Sequence, residues 1–177
     1  MNKENLKKPI VLVGLMGVGK TTLGKMLADY FQSDFFDVDD VIVEEQGKPI
    51  PQIFSDEGEQ FFRDVEAETI RRLVSKGSCV ISTGGGAMMR EITQELILSK
   101  SVSVWIHSSP SVLLNRIGKD ENRPLLQGDD PLSVLKKLEK ERIAVYRRAD
   151  IHVESGDETL EVTFEKILNK LDAVKFS

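Results

Sequence analysis

The chain has one cysteine, one tryptophan and two histidines in 177 residues. The lone thiol, Cys79, excludes an intrachain disulfide, and its place in an apolar run reads as a buried structural cysteine in a reducing compartment. His107 and His152 have no second histidine or cysteine at ligand spacing, so neither is assigned to a metal. No apolar run approaches the roughly 20 residues that span a bilayer. The N-terminal Met1-Asn2-Lys3-Glu4-Asn5-Leu6-Lys7-Lys8 lacks an apolar signal core. A cytoplasmic protein without membrane contact is expected. Positive charge is also lacking: the formal net charge is −5. An overall field of that sign does not hold nucleic acid, so any anionic ligand must be met by local arginines. The 40% hydrophobic and 30% charged residues are ordinary for a globular chain, and the length suits a single domain over 1–177, expected as a monomer.

What is present is concentrated in Gly14-Leu15-Met16-Gly17-Val18-Gly19-Lys20-Thr21, which follows the apolar run Ile10-Val11-Leu12-Val13 and leads into Thr22-Leu23-Gly24-Lys25-Met26-Leu27-Ala28. The order is strand, glycine-rich turn, helix. Glycines let the turn point several backbone N–H groups inward, Lys20 adds a positive charge and Thr21 a hydroxyl, all at the positive end of a helix dipole. The spacing G-x-x-x-x-G-K-[ST] in that context reads as a cradle for a nucleoside triphosphate with Mg²⁺. It specifies no reaction.

From residue 10 onward, short apolar runs alternate with segments of helical period, the pattern of βαβ units and a parallel sheet covered on both faces. The fold class is α/β. Five strands are predicted, at 10–13, 35–38, 79–82, 102–106 and 151–153, with a helix over 20–31 whose Leu23, Leu27 and Tyr30/Phe31 face the sheet. Residues 39–75 carry helical period without a strand, broken at Gly47-Lys48-Pro49 and again near Gly58, and read as a jointed helical excursion. Helices are also expected over 132–148 and 159–171. Residues 118–131 are polar and turn-rich, a length and composition that suit a lid over a site.

Several residues are candidates for chemistry. Asp37 and Asp39 stand at the end of the second strand, on the sheet edge where ligands bind in parallel α/β folds. One carboxylate could face Mg²⁺ and the other an incoming hydroxyl; the alternative is that Asp39 or Asp40 merely caps the next helix. Arg63, read alone, is a helix arginine paired with Glu59 or Glu66. Gly84-Gly85-Gly86 directly after a strand favours a turn that a ligand approaches closely. Arg123 in the loop could close over a triphosphate and stabilise charge on a transferred phosphoryl group, or be an idle surface arginine. Arg142 sits among charges on a helix face, where a solvated role is the default. Trp105 reads as core.

As an ordered set these residues resemble the shikimate kinase family, over about Ile10 to Leu171. The resemblance rests on the phosphate cradle at 14–21, Phe36-Asp37-Val38-Asp39, the run from Gly58 to Arg63 with Glu66, Thr83-Gly84-Gly85-Gly86-Ala87, Arg123-Pro124-Leu125-Leu126, and Arg142 with Tyr146. It implies a three-layer P-loop fold with a five-stranded parallel sheet, a helical substrate-binding region at about 39–75 and a lid at about 118–131. The implied reaction is transfer of the ATP γ-phosphate to the 3-hydroxyl of shikimate, in aromatic amino-acid biosynthesis.

By the same resemblance, Gly17, Val18, Gly19, Lys20, Thr21 and Thr22 hold the phosphates, with Arg116 on the adenine side and Arg123 on the nucleotide. Thr21 binds Mg²⁺ and Asp37 reaches it through water. Asp39, Arg63, Gly84, Gly85, Gly86 and Arg142 meet shikimate, and Lys20, Asp39 and Arg123 are the catalytic set. A guanidinium fork suits the carboxylate of such an acceptor. The chain departs from the family at Ala144, where a proline is common, and in Glu154-Ser155-Gly156-Asp157-Glu158, which carries no adenine motif. The other readings are a gluconate or nucleoside monophosphate kinase and a non-catalytic nucleotide-binding module.

Overall fold

A computed structural model describes residues 6–117 and 130–174. The strands are β1 (Ile10–Val13), β2 (Asp34–Asp37), β3 (Cys79–Ser82), β4 (Val102–His107) and β5 (Ile151–Glu154). They form one sheet in the order β2-β3-β1-β4-β5, and every pairing is parallel. The helices are α1 (Lys20–Phe31), α2 (Val38–Gln46), α3 (Ile50–Val74), α4 (Glu91–Lys100), α5 (Pro110–Ile117), α6 (Pro131–Tyr146) and α7 (Leu160–Ala173), with a 3-10 turn at Ala87–Met89. Every residue of β1 and β3 is buried, because helices cover both faces of the sheet centre. That is why these strands read as continuous apolar runs rather than alternations. Cys79 is 1% exposed, and burial pushes its thiol up to about 11.

The topology brings the functional segments to one edge. β1 lies between β3 and β4 in register, Leu12 opposite Ser82 and Val104, so the turns leaving the C-terminal ends of these strands are neighbours. The turn after β1 approaches the end of β4 closely. A Cβ on Gly14, whose φ is +141°, would lie far inside van der Waals contact with the Ile106 carbonyl oxygen, so only glycine is accommodated there. On the helix side, Leu23 and Leu27 pack on the sheet with no exposure. Tyr30 meets Phe164 of α7 edge-on, with ring centroids 6.0 Å apart.

Two expectations are corrected. The second strand is 34–37, not 35–38, because Val38 already opens α2. The expected joint near Gly58 is present: residues 50–74 are two helical stretches meeting at Gly58, whose φ 86° and ψ 169° are a conformation open essentially to glycine alone. Helix α4 is absent from the predicted elements, since its buried residues are Thr93, Gln94 and Ile97 and two polar members out of three blur the apolar period. The expected lid over 118–131 falls outside the described residues except for its end. There, Asp130 caps α6 by accepting from the Leu132 and Ser133 amides, and Pro131 is already helical.

Candidate active site

A cleft of about 350 Å³ opens between the turn after β1, the start of α2 and the turn after β3. Its walls bring together Gly17, Gly19, Lys20, Thr21, Thr22, Asp37, Asp39, Gly84 and Gly85. Sequence reasoning placed all of these in one site, and the sheet order puts them there. Within the glycine-rich turn Val18 is the exception: its side chain is 1% exposed and lines a smaller space behind the turn with Leu15 and Trp105, so only its backbone can serve a ligand in the cleft.

The cradle is built chiefly from backbone. Gly19 is the N-cap of α1 in the left-handed region at φ 91°, which turns the chain so that the first amides of the helix face the cleft. Lys20 Nζ donates to the Gly14 and Leu15 carbonyls, both at 2.9 Å, placing its ammonium across the mouth of the turn. Thr21 Oγ1 donates to Asp37 Oδ2 at 2.8 Å. A hydroxyl and a carboxylate side by side are hard oxygen donors, a set that suits Mg²⁺ sharing its remaining positions with water and phosphate oxygens. Among the described residues no group of three His, Cys, Asp or Glu side chains could hold a metal ion, and an ion kept by one hydroxyl and one carboxylate needs no such group.

The capping alternative for the Asp pair resolves in favour of Asp37. Its Oδ1 accepts from the Asp39 amide at 3.1 Å, making Asp37 the N-cap of α2. Because the helix begins at Val38, Asp39 sits in its first turn and is free of capping duty, with its carboxylate beside Gly84. Burial pushes Asp39 up to about 6, Asp37 and Glu66 push the same way, and Lys20 opposes them. A carboxyl tuned toward neutrality suits a group that accepts a proton near physiological pH.

Arg63 pairs as its helix position predicts, with Glu59 at 3.5 Å and Glu66 at 2.8 Å, yet it is not on a solvated face. Its side chain is 24% exposed and that of Glu66 only 3%. Glu66 Oε1 has no partner among the described residues, and burial holds the carboxyl above the ordinary glutamate range against the pull of Arg63. The Arg63 guanidinium crosses the triglycine turn so closely that a Cβ on Gly86 would lie 2.8 Å from Nη2. From the other side, Arg142 Nη1 donates to the Gly85 carbonyl at 2.9 Å. Two arginines from distant helices thus converge on one turn.

Arg116 lies apart from this group. It donates to Ser155 Oγ at 2.9 Å and to the Gly156 carbonyl, tying α5 to the loop between β5 and α7, whose Leu160 packs where a Cβ on Gly19 would reach. Arg123 lies outside the described residues. His107 and His152 flank the Trp105 ring, with centroids 4.7 and 5.2 Å away, and Trp105 is 8% exposed, as a core residue. Two residues of the site, Glu66 and Tyr146, entered the sequence reading only as an ion-pair partner of Arg63 and as members of the family's motifs. Tyr146 donates from its hydroxyl to the Gly85 carbonyl, and a buried tyrosine four residues from Arg142 leaves no signal of that bond.

Comparison with known proteins gives the family. The shikimate kinase family model matches residues 16–172. A shikimate kinase of Novosphingobium aromaticivorans is 43% identical over 173 residues, covering 96% of this chain and 90% of that protein. One from Neisseria meningitidis is 42% identical, covering 93% and 98%. The solved structure of a shikimate kinase from Acinetobacter baumannii in complex with shikimate superposes with a TM-score of 0.90 at 35% identity, covering 96% of both chains. A gluconokinase from Sinorhizobium meliloti reaches 0.54 at 17% identity, which is a likeness of fold alone. Because the family model and relatives more than 40% identical match almost the whole length, the chain belongs to the shikimate kinase family of ATP-dependent kinases.

Proposed function

We propose that this chain, acting as a cytoplasmic single-domain monomer, transfers the γ-phosphate of ATP·Mg²⁺ to the 3-hydroxyl of shikimate, giving shikimate 3-phosphate and ADP. The observation that carries the reading is the shared cleft. The cradle with Lys20 and Thr21 forms one wall, and the opposite wall joins Asp39 to the turn on which Arg63 and Arg142 converge.

In this reading the amides from Gly17 to Thr22 bind the phosphates, and Lys20 exchanges its contacts with the Gly14 and Leu15 carbonyls for phosphate oxygens. Thr21 and Asp37 would hold Mg²⁺, which when bound neutralises phosphate charge. Arg63 and Arg142 take the acceptor's carboxylate, each through charge-assisted bonds, and the Gly84–Gly86 turn lets the ring approach the backbone. Asp39 accepts a hydrogen bond from the attacking hydroxyl, fixes its lone pair in line with the γ-phosphorus and receives its proton as the phosphorus–oxygen bond forms. Positioning carries most of the rate, because a loose phosphoryl-transfer transition state asks little of a base. The nucleotide roles of Arg116 and Arg123 rest on the family resemblance, and for Arg116 also on its bonds to the loop at 155–156.

Coupled detection of ADP release with ATP·Mg²⁺ and, side by side, shikimate, gluconate, AMP, CMP or no acceptor tests the reading. Release that depends on shikimate alone is expected. Release with another acceptor removes Arg63 and Arg142 from these roles, and silence with every acceptor favours a binding module.

A further inference from the structure

The three carbonyls of the triglycine turn are held in two different ways. Gly84 O accepts from the Ala87 amide at 3.1 Å and Gly86 O from the Met89 amide at 3.0 Å, bonds internal to the turn and the 3-10 segment after it. Gly85 O instead points at α6, where two side chains meet it. Arg142 Nη1 donates at 2.9 Å, and the Tyr146 hydroxyl donates to the same oxygen. Arg142 and Tyr146 are four residues apart on the helix and share a face, and a carbonyl oxygen has two lone pairs, so both bonds can stand together.

The two donors are not equivalent. Tyr146 is 3% exposed, and its ring lies against Trp105 with centroids 6.0 Å apart and planes 26° from parallel, so packing fixes its hydroxyl. Burial also holds the phenol above its ordinary value, which keeps it a donor throughout the neutral range. Arg142 is half-buried, carries a charge and has several further donors on a flexible stem. It is the donor that an incoming carboxylate can claim.

We propose that Tyr146 is a positioning residue whose hydroxyl keeps the Gly85 carbonyl satisfied while Arg142 is lent to the carboxylate of the acceptor. The proposal rests on the reading of Arg142 as a carboxylate-binding residue. With the hydroxyl present, the loan leaves Gly85 O with one donor and the turn in place. Without it, Arg142 is the sole donor, and a binding event that draws the guanidinium away orphans a part-buried carbonyl, which weakens binding by about tenfold.

The test is a double-mutant cycle on the full chain, with KM for shikimate, KM for ATP, kcat and melting temperature measured for wild type, Y146F, R142A and the double variant. Y146F is expected to raise the shikimate KM about tenfold and to leave the ATP KM and kcat within about twofold. In the R142A background the same substitution should add nothing, because no arginine remains to be lent. A wild-type shikimate KM in Y146F overturns the proposal, and so does an equal penalty in both backgrounds, which would mean that the turn is merely displaced. Should R142A itself keep wild-type shikimate affinity, the carboxylate reading of Arg142 falls and the proposal with it. Trp105→Phe, which loosens the stack but keeps the hydroxyl, is the packing control. A tenfold rise there as well would assign the effect to packing and overturn the proposal.

Discussion

The two walls of the cleft are made by different means. The phosphate wall comes from one contiguous stretch, Gly14 to Thr22, and its working groups are mostly backbone amides placed by glycines and by the start of α1. The acceptor wall is gathered from Asp39 on α2, Arg63 and Glu66 on α3, the turn after β3, and Arg142 and Tyr146 on α6. In the proposed reading the first binds what every nucleoside triphosphate shares, so a local backbone motif suffices. The second must recognise one particular acid with several hydroxyls, and that calls for side chains of different chemistry around a volume no single element can enclose. It also brings carboxylates into part-buried positions: Asp39 and Glu66 are both pushed above their ordinary range by desolvation. Among the carboxylates of the two walls, the upward shifts by desolvation thus fall on the acceptor wall, with a cost in stability.

If this division holds, the largest effect follows from breaking the phosphate wall. Lys20→Met should lower kcat by about three orders of magnitude or more, while the circular dichroism spectrum stays native; a variant near wild-type rate would remove the cradle from the mechanism. On the acceptor wall, Arg63→Ala should weaken shikimate binding by about 10- to 100-fold and leave ATP binding nearly unchanged in calorimetry. Equal losses for both ligands would erase the distinction between the walls. This variant should also melt earlier, because Glu66 loses the guanidinium that offsets its burial.

The smallest and most discriminating effect is on stability. Asp39 is raised from 3.8 to about 6 in the folded protein, so the folded state binds its proton more tightly than the unfolded state does. The associated stability is fully present below pH 3.8 and is lost as pH rises through about 6. Asp39→Asn should therefore lower kcat by about 100-fold or more and yet stabilise the fold at pH 7.5 by about 1–2 kcal/mol once partial exposure is allowed for, read as a higher melting temperature. That gain should shrink as pH falls toward 4.5. A loss of stability at pH 7.5, or a gain independent of pH, would show that Asp39 is not under electrostatic tension.

Legibility in the sequence follows the same division. The strands of the sheet centre and the cradle were readable because their determinants are local: β-branched runs, glycines at fixed offsets, a lysine and a threonine at a helix start. Residues of the acceptor wall could be singled out but not given roles by pattern alone. Arg63 has the same i,i+3 and i,i−4 partners as any surface arginine, and the asymmetry that sets it apart, a partner carboxylate 3% exposed, exists only after folding. The cap of α2 went to Asp37 rather than Asp39 or Asp40 because the strand ends one residue earlier than its apolar run implies. Helix α4 escaped notice because it buries Thr93 and Gln94.

The sequence alone therefore determined the class of fold, the location of the phosphate cradle and, through an ordered set of motifs, the family, since each of these depends on residues close together along the chain. Only the tertiary structure decided which carboxylate caps and which faces the cleft, that Glu66 is buried behind Arg63, and that Arg142 and Tyr146 share one carbonyl across 57 and 61 residues of chain. Those depend on desolvation and on distances between separate elements, which no local pattern encodes.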